Sequence, residues 1–464
     1  MPKYHINVKP APPRFLPPGK YVLIDREEGC LGCKYCVKKL CPYGVYNKRE
    51  FDSIQLRDTI DYYCRNCLYC VEACPGGTIT LMVNPTYLEI GDSYWKPEII
   101  TKIWRQAETG MISVSGAGYR GPFAGSGFDD MWTDMSEIVR PTRDGIHGRE
   151  YISTDIEIGR KLSYLAFDAQ GKLPSSTPPL IEIPIPMLFS LPGWGKWGKP
   201  VLLSMAKAAK TLNTLFIIPL AQFTKELHPY IDNLGIYIDS LEEFSALPKD
   251  VKIIEIPYNL SQNFQAIKTS HPQTIVMIKI PLSPEAKQTS LTLTKNGAEV
   301  FHFSADDHGL EFAEKPRFIK DIIKDIHLSL VDERTRDEVT VLVSGGIAMA
   351  EHVAKTTICG ADGVILDQVL MVALECRLCK DCLQGIPCPI DIENIEPDWG
   401  AQRLINLMNA WRDQLLEVLG AMGMRDVRRL RGEMGRAIFY KDVLNEAFAF
   451  LLKGNKKWEA GHRK

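Results

Sequence analysis

The sequence has no long apolar run. Its opening stretch, "MPKYHINVKPAPPRFLPPGKYV", lacks the apolar core of a signal peptide, and later apolar stretches are short or interrupted by Lys207, Lys210 and Pro219. The expectation is a cytoplasmic protein with no direct membrane insertion. An excess of one charge is lacking too: 55 basic against 57 acidic residues leave a net charge of −2. No basic stretch is long, so nucleic acid and anionic membrane surfaces are excluded as partners. Cysteine is scarce outside three short stretches, which hold all but one of the 13. What is present is ordinary globular material: 464 residues, 45% hydrophobic and 24% charged, enough for two or three domains with a sizeable core.

The cysteines carry the strongest signal. The first group is "CLGCKYCVKKLCP" (Cys30, Cys33, Cys36, Cys41) and the second "CRNCLYCVEACP" (Cys64, Cys67, Cys70, Cys74). Both end in Cys-Pro, the spacing of a two-cluster bacterial ferredoxin, with one extra residue before the last cysteine of the first group. A short CxxCxxC loop aims three thiolates at one point and a distant fourth closes the cage. In such ferredoxins the fourth cysteine serves the other cluster, so Cys74 is expected to complete the [4Fe–4S] cluster of Cys30, Cys33 and Cys36, and Cys41 that of Cys64, Cys67 and Cys70. Zinc favours paired CxxC units feeding one tetrahedral ion, and disulfides favour an oxidising compartment, so both fit less well. A third group, "CRLCKDCLQGIPCP" (Cys376, Cys379, Cys382, Cys388), permits a third cluster, [4Fe–4S] or [3Fe–4S]. Cys359 stands alone and reads as a small core residue.

Along the chain, the Pro-rich residues 1–18 read as an extended arm and 19–90 as the ferredoxin-like module, stapled by its clusters. Residues 91–177 form a connector. Its Gly116, Gly118 and Gly121 have a GxGxxG spacing but are followed by Pro122 and not by a helix, which argues for a packing loop over a dinucleotide site. Arg140, Arg143, His147 and Arg149 could clamp an anion or form a salt-bridged loop. Between 178 and 375 eight β-rich runs, from "IEIPIPMLF" to "DGVILD", alternate with amphipathic stretches. That repeat predicts an α/β fold, a reduced (β/α)8 barrel, ahead of the third iron–sulfur motif at 376–390 and a helical tail over 391–464. In the tail, Trp411, Leu415, Leu416 and Leu419 have core-facing spacing.

Four segments carry a family resemblance: "AETGMISVSGAGYRGPFAGSGFDDM", "SEIVRPTRDGIHGREYISTDIEIGRK", "LVSGGIAMAEHVAKTTICGADGVILDQVLMVALEC" and "RRLRGEMGRAIF". They resemble the FMN-binding synthase domain of the glutamate synthase family, especially short forms with their own ferredoxin module. The resemblance implies electrons passing through iron–sulfur clusters to FMN, and reduction of an imine formed from 2-oxoglutarate and ammonia. It implies FMN near Lys279 on the fifth barrel strand and at the Ser344, Gly345, Gly346 turn, where backbone amides could bind phosphate. The sequence also departs from the family. Most strand-to-helix loops are short, the turn after the sixth strand carries Asp306, Asp307 and His308, and Asp367 and Gln368 follow the eighth strand, where a phosphate would meet a carboxylate.

These observations lead to an iron–sulfur electron-transfer subunit on a glutamate-synthase-like barrel with a stripped active site, relaying single electrons between redox partner subunits of a larger complex. The alternative is an FMN-dependent oxidoreductase or glutamate synthase subunit served by separate glutaminase or electron-donor subunits. No catalytic residue is assigned at this level.

Overall fold

The computed structural model describes residues 4–25, 29–33, 35–36, 39, 41–47, 59–112, 127–133, 151–162, 164, 167–172, 177–195 and 197–452. Two compact units emerge. One comprises residues 12–104 with 375–390; the other comprises 1–11, 105–374 and 391–464. Among the described residues no helix is long and apolar enough to cross a membrane.

In the smaller unit, strand Tyr21–Asp25 pairs antiparallel with Ile79–Val83. Leu23, Val45, Tyr46, Cys70 and Ile79 form its small core, and Cys36, Cys41, Cys64 and Cys74 pack against it. A core of this size buries little apolar surface, so the unit depends on what its cysteines hold.

The larger unit is built on a closed parallel barrel of eight strands. They are β1 (Met187–Ser190), β2 (Phe216–Pro219), β3 (Leu234–Tyr237), β4 (Ile253–Pro257), β5 (Ile275–Pro281), β6 (Val300–Ser304), β7 (Thr340–Ser344) and β8 (Gly363–Leu366). Each coincides with one of the eight apolar runs. Strands buried on both faces read as continuous apolar stretches and not as alternating ones. The outer layer contains α1 (Lys199–Leu212), α2 (Phe264–Ser270), α3 (Ala286–Lys295), α4 (Ile319–Asp332), α5 (Ala350–Ile358) and α6 (Gln368–Ala373). Only 3-10 turns follow β2 and β3, one of them carrying Pro229, which cannot donate to a helical ladder.

Helix α7 (Pro397–Ala421) buries Trp411, Leu415, Leu416 and Leu419 as their spacing required. The tail also contributes a strand, Ala437–Phe439, paired with Met131–Thr133. The N-terminal residues are laid on α7: Lys9 donates its N–H to Asn406 Oδ1 at 3.3 Å, and Asn406 Nδ2 donates to the Lys9 carbonyl at 2.7 Å.

Register fixes what points inward. Cα partners in a sheet share a face, and alternate residues along a strand change face. Following the partners round the barrel places Glu255, Lys279, His302, Ser344 and Tyr237 on the inner face with Ile253, Met277, Val300 and Leu342. The apolar members fill the N-terminal half. That end is plugged by the hairpin of Ile156–Gly159 and Leu180–Ile183, where Gly159 N–H donates to Thr340 Oγ1 at 3.2 Å and Thr340 donates back to the Gly159 carbonyl at 2.9 Å. The polar members gather at the C-terminal end.

Candidate functional site

The smaller unit gathers the cysteine loops. Cys41, Cys64, Cys67 and Cys70 line one pocket with Leu23, Val45 and Leu81. Three of these cysteines come from the second group and one is the last of the first group. Among the described residues no group of three His, Cys, Asp or Glu side chains is arranged to hold a single metal ion. A cubane core is a larger guest, which takes its thiolates from around a cage. Cys74 is tuned toward thiolate: burial pushes its thiol up, but Thr78 and the amides of Gly76 and Gly77 outweigh that and hold it below the usual thiol range.

The backbone of the loops repeats. In the second group Asn66 and Leu68 have φ of +54° and +60°, and in the third Leu378 and Lys380 have +53° and +61°. These are the second and fourth residues after the first cysteine of each CxxCxxC. In the first group the second such residue is Gly32, at +62°. Left-handed backbone is costly for leucine and lysine, so its recurrence at matched positions marks a shared constraint. The third loop is also fastened at both ends. Arg14 donates its backbone N–H to Glu375 Oε1 at 2.8 Å and its Nη2 to the Ile390 carbonyl at 2.7 Å, while Gly91 N–H donates to the Arg377 carbonyl at 3.1 Å.

Inside the barrel, three strands meet in one hydrogen-bonded chain. His302 Nδ1 on β6 lies 2.5 Å from Glu255 Oε1 on β4, and His302 Nε2 lies 2.8 Å from Ser344 Oγ at the end of β7. All three are buried. Burial, aided by Lys279, holds His302 below the usual imidazole range against the pull of Glu255. Burial would raise Glu255, but His302 and Lys279 hold its carboxyl low. His302 therefore bridges the two, its Nδ1 facing the Glu255 carboxyl and its Nε2 the Ser344 hydroxyl. Lys279 Nζ lies 5.5 Å from the Tyr237 ring centroid. The sequence reading missed Glu255 and His302, whose signal was a lone ionisable residue inside each apolar run, "IIEIP" and "VFHFS".

The conserved region in glutamate synthase matches residues 247–425, and the 4Fe–4S dicluster domain matches 22–75. The chain carries a glutamate synthase domain and a 4Fe–4S dicluster domain. It is 26% identical to the archaeal-type glutamate synthase [NADPH] of Dehalococcoides mccartyi, over 89% of this chain and 94% of that one. It is also 26% identical to the archaeal glutamate synthase [NADPH] of Methanocaldococcus jannaschii, over 91% and 96%. Among solved structures, a mandelate oxidase variant with a monooxide FMN adduct overlays 74% of this chain and 91% of its own, at 14% identity and a TM-score of 0.42.

The glutamate synthase domain puts Lys279, Ser344, Gly345 and Gly346 at the C-terminal end of the barrel, where the double glycine lies against the turn after β6. Gly345 has φ +92°, and a Cβ there would sit 2.6 Å from the Asp306 carbonyl oxygen; at Gly346 a Cβ would sit 2.5 Å from Gly309 Cα. The glycines serve the close approach of the turn after β6. Residues 344–350 are all buried, and the Ala348 N–H already donates to His352 Nδ1 at 3.1 Å. After β8 comes the Asp367 carboxyl, pushed up to about 6 by burial, with Asp307 beside it. An ionised Asp367 would oppose a phosphate placed beside it. Asp306 caps its own turn, accepting from the N–H groups of His308 at 2.9 Å and Leu310 at 2.7 Å. Cys359 is a core residue, its thiol pushed up to about 12 by burial. Gly116, Gly118, Gly121, Arg140, Arg143, His147 and Arg149 lie outside the described residues.

Proposed function

We propose that this chain is the iron–sulfur electron-transfer subunit of an oxidoreductase complex, relaying single electrons between partner subunits on a glutamate-synthase barrel that has lost its flavin site. The observation that carries the reading is the repeated left-handed pair, Asn66 and Leu68 in the dicluster domain and Leu378 and Lys380 in the third loop. A third loop paying that strain at the same two offsets has the same task. Cys30, Cys33, Cys36 and Cys74 hold one [4Fe–4S] cluster, and Cys41, Cys64, Cys67 and Cys70 the second. The cavity lined by the latter four supports this crossed pairing. Cys376, Cys379, Cys382 and Cys388 hold the third. Such clusters, once bound, supply one-electron storage and transfer at potentials set by hydrogen bonds and exposure. Iron–sulfur ligation by these cysteines suits a reducing compartment, which supports a cytoplasmic setting.

The test is a cofactor inventory on anaerobically purified protein. About 12 irons and 12 acid-labile sulfides per chain, with no flavin retained after FMN is added back, support the relay; about 8 irons remove the third cluster from it. A second reading, an FMN-dependent glutamate synthase subunit, is favoured by relatives of that name running along 89% of the chain. One FMN per chain, with glutamate formed from 2-oxoglutarate, ammonia and reduced methyl viologen, would establish that reading instead.

A further inference from the structure

Electron relay gives Glu255, His302 and Ser344 no task. A buried glutamate–histidine pair is no economical way to fill a barrel, since apolar residues of like volume do so at least as well, and the other inward positions Ile253, Met277, Val300 and Leu342 are filled that way. The chain also has a direction. A carboxylate on Nδ1 leaves Nε2 to face the Ser344 hydroxyl, and Ser344 ends its strand immediately before the sharp turn at Gly345. Around the C-terminal ends of the strands Ser190, Tyr237, Lys279, Ser304 and Asp367 are half-buried. This rim calls for a polar guest. On the neighbouring loops after β8, β1 and β2, the buried Gln368 Oε1, Trp194 Nε1, Trp197 Nε1 and Gln222 Oε1 have no hydrogen-bond partner among the described residues.

We infer that the C-terminal mouth of the barrel is an acyl-transfer site for a small carboxylic ester or thioester, with Ser344 as nucleophile, His302 as general base and Glu255 as the residue that positions His302. Ser344 Oγ bonds to the acyl carbon as its proton passes to His302 Nε2. The bond to the leaving alcohol or thiol breaks, and that group takes the proton from His302. Water then repeats the sequence against the acyl-serine, releasing a carboxylic acid and restoring Ser344. Lys279, inward on β5, supplies a cation for the charge that develops on the acyl oxygen. No redox partner is needed, so this site stands apart from the clusters.

The experiment is active-site labelling of the full-length, cluster-loaded protein with an alkyl fluorophosphonate, followed by peptide mass spectrometry. One adduct per chain on Ser344 is expected, none on Ser344→Ala. With His302→Gln or Glu255→Gln, labelling should slow by at least about 100-fold at a temperature where both variants remain folded, while iron content stays that of the parent. The same variants should lose hydrolysis of p-nitrophenyl acetate. An unlabelled Ser344 in the unaltered protein, or labelling that ignores His302→Gln, overturns the assignment and leaves the three residues as a structural plug. Loss of the clusters with labelling intact would instead count against the electron relay alone.

Discussion

Arg14 and Glu375, 361 residues apart in the chain, form a two-point contact: the Arg14 backbone N–H to Oε1 at 2.8 Å and its Nε to Oε2 at 3.3 Å. Glu375 is buried and sits immediately before Cys376, so the contact fixes the entry to the third cysteine loop. Arg14→Ala leaves that carboxylate without its cation, at a cost of about 1–3 kcal/mol. The third loop should respond first. Purified R14A is expected to carry about 4 fewer irons per chain, and Arg14→Lys, which keeps charge without the planar fork, should fall between. An R14A protein with full iron and an unshifted melt would contradict this role.

The third loop can be separated from the other two by its own ligand. Cys379→Ser should remove about 4 irons per chain and leave the cluster signals of the dicluster domain in place. Electron paramagnetic resonance of the reduced protein reads this directly. Unchanged iron in C379S would mean that the loop holds no cluster, whatever its backbone resembles.

Gly345 is required by backbone contact. A Cβ there would press on the Asp306 and Ala305 carbonyl oxygens at 2.6 and 2.7 Å, with φ at +92°. Gly345→Ala should therefore destabilise the barrel by roughly 1–3 kcal/mol. Denaturant melts monitored by far-ultraviolet circular dichroism measure it. An alanine that is neutral for stability but alters flavin retention would return the double glycine to a phosphate role.

Asp367 titrates in the folded barrel near pH 6, because burial and the neighbouring Asp307 disfavour its charge. Its folded value lies above that of a free aspartate, so the protein gives up stability as pH rises from about 4 through 6. Asp367→Asn keeps an acceptor for the Gln368 N–H and removes the titration. D367N should melt higher than its parent at pH 8 and equal to it at pH 4. A gain independent of pH would point to packing and not to charge.

The cysteine loops were legible because ligand spacing is a local property: three thiolates within seven residues specify their loop with little help from the rest of the chain. The barrel was legible because each of its strands, such as "VKIIEIPYN", is apolar on both faces, and the repeat of such runs allows few closures. The interior was not. Glu255 and His302 are neighbours only because closure brings β4 and β6 to one layer with β5 between them, and no linear pattern relates two residues 47 positions apart.

By itself the sequence determined the dicluster domain, through cysteine spacing, and the eight-stranded fold, through its repeated apolar period, since both are written in residues close together along the chain. Tertiary structure decided three other matters: that the third cysteine loop belongs to the same compact unit as the first two, that Gly345 and Gly346 admit a neighbouring backbone, and that one glutamate, one histidine and one serine join in one hydrogen-bonded chain. These depend on contacts between residues from tens to hundreds of positions apart, which only the closing of the barrel and the packing of the cysteine loops bring within reach.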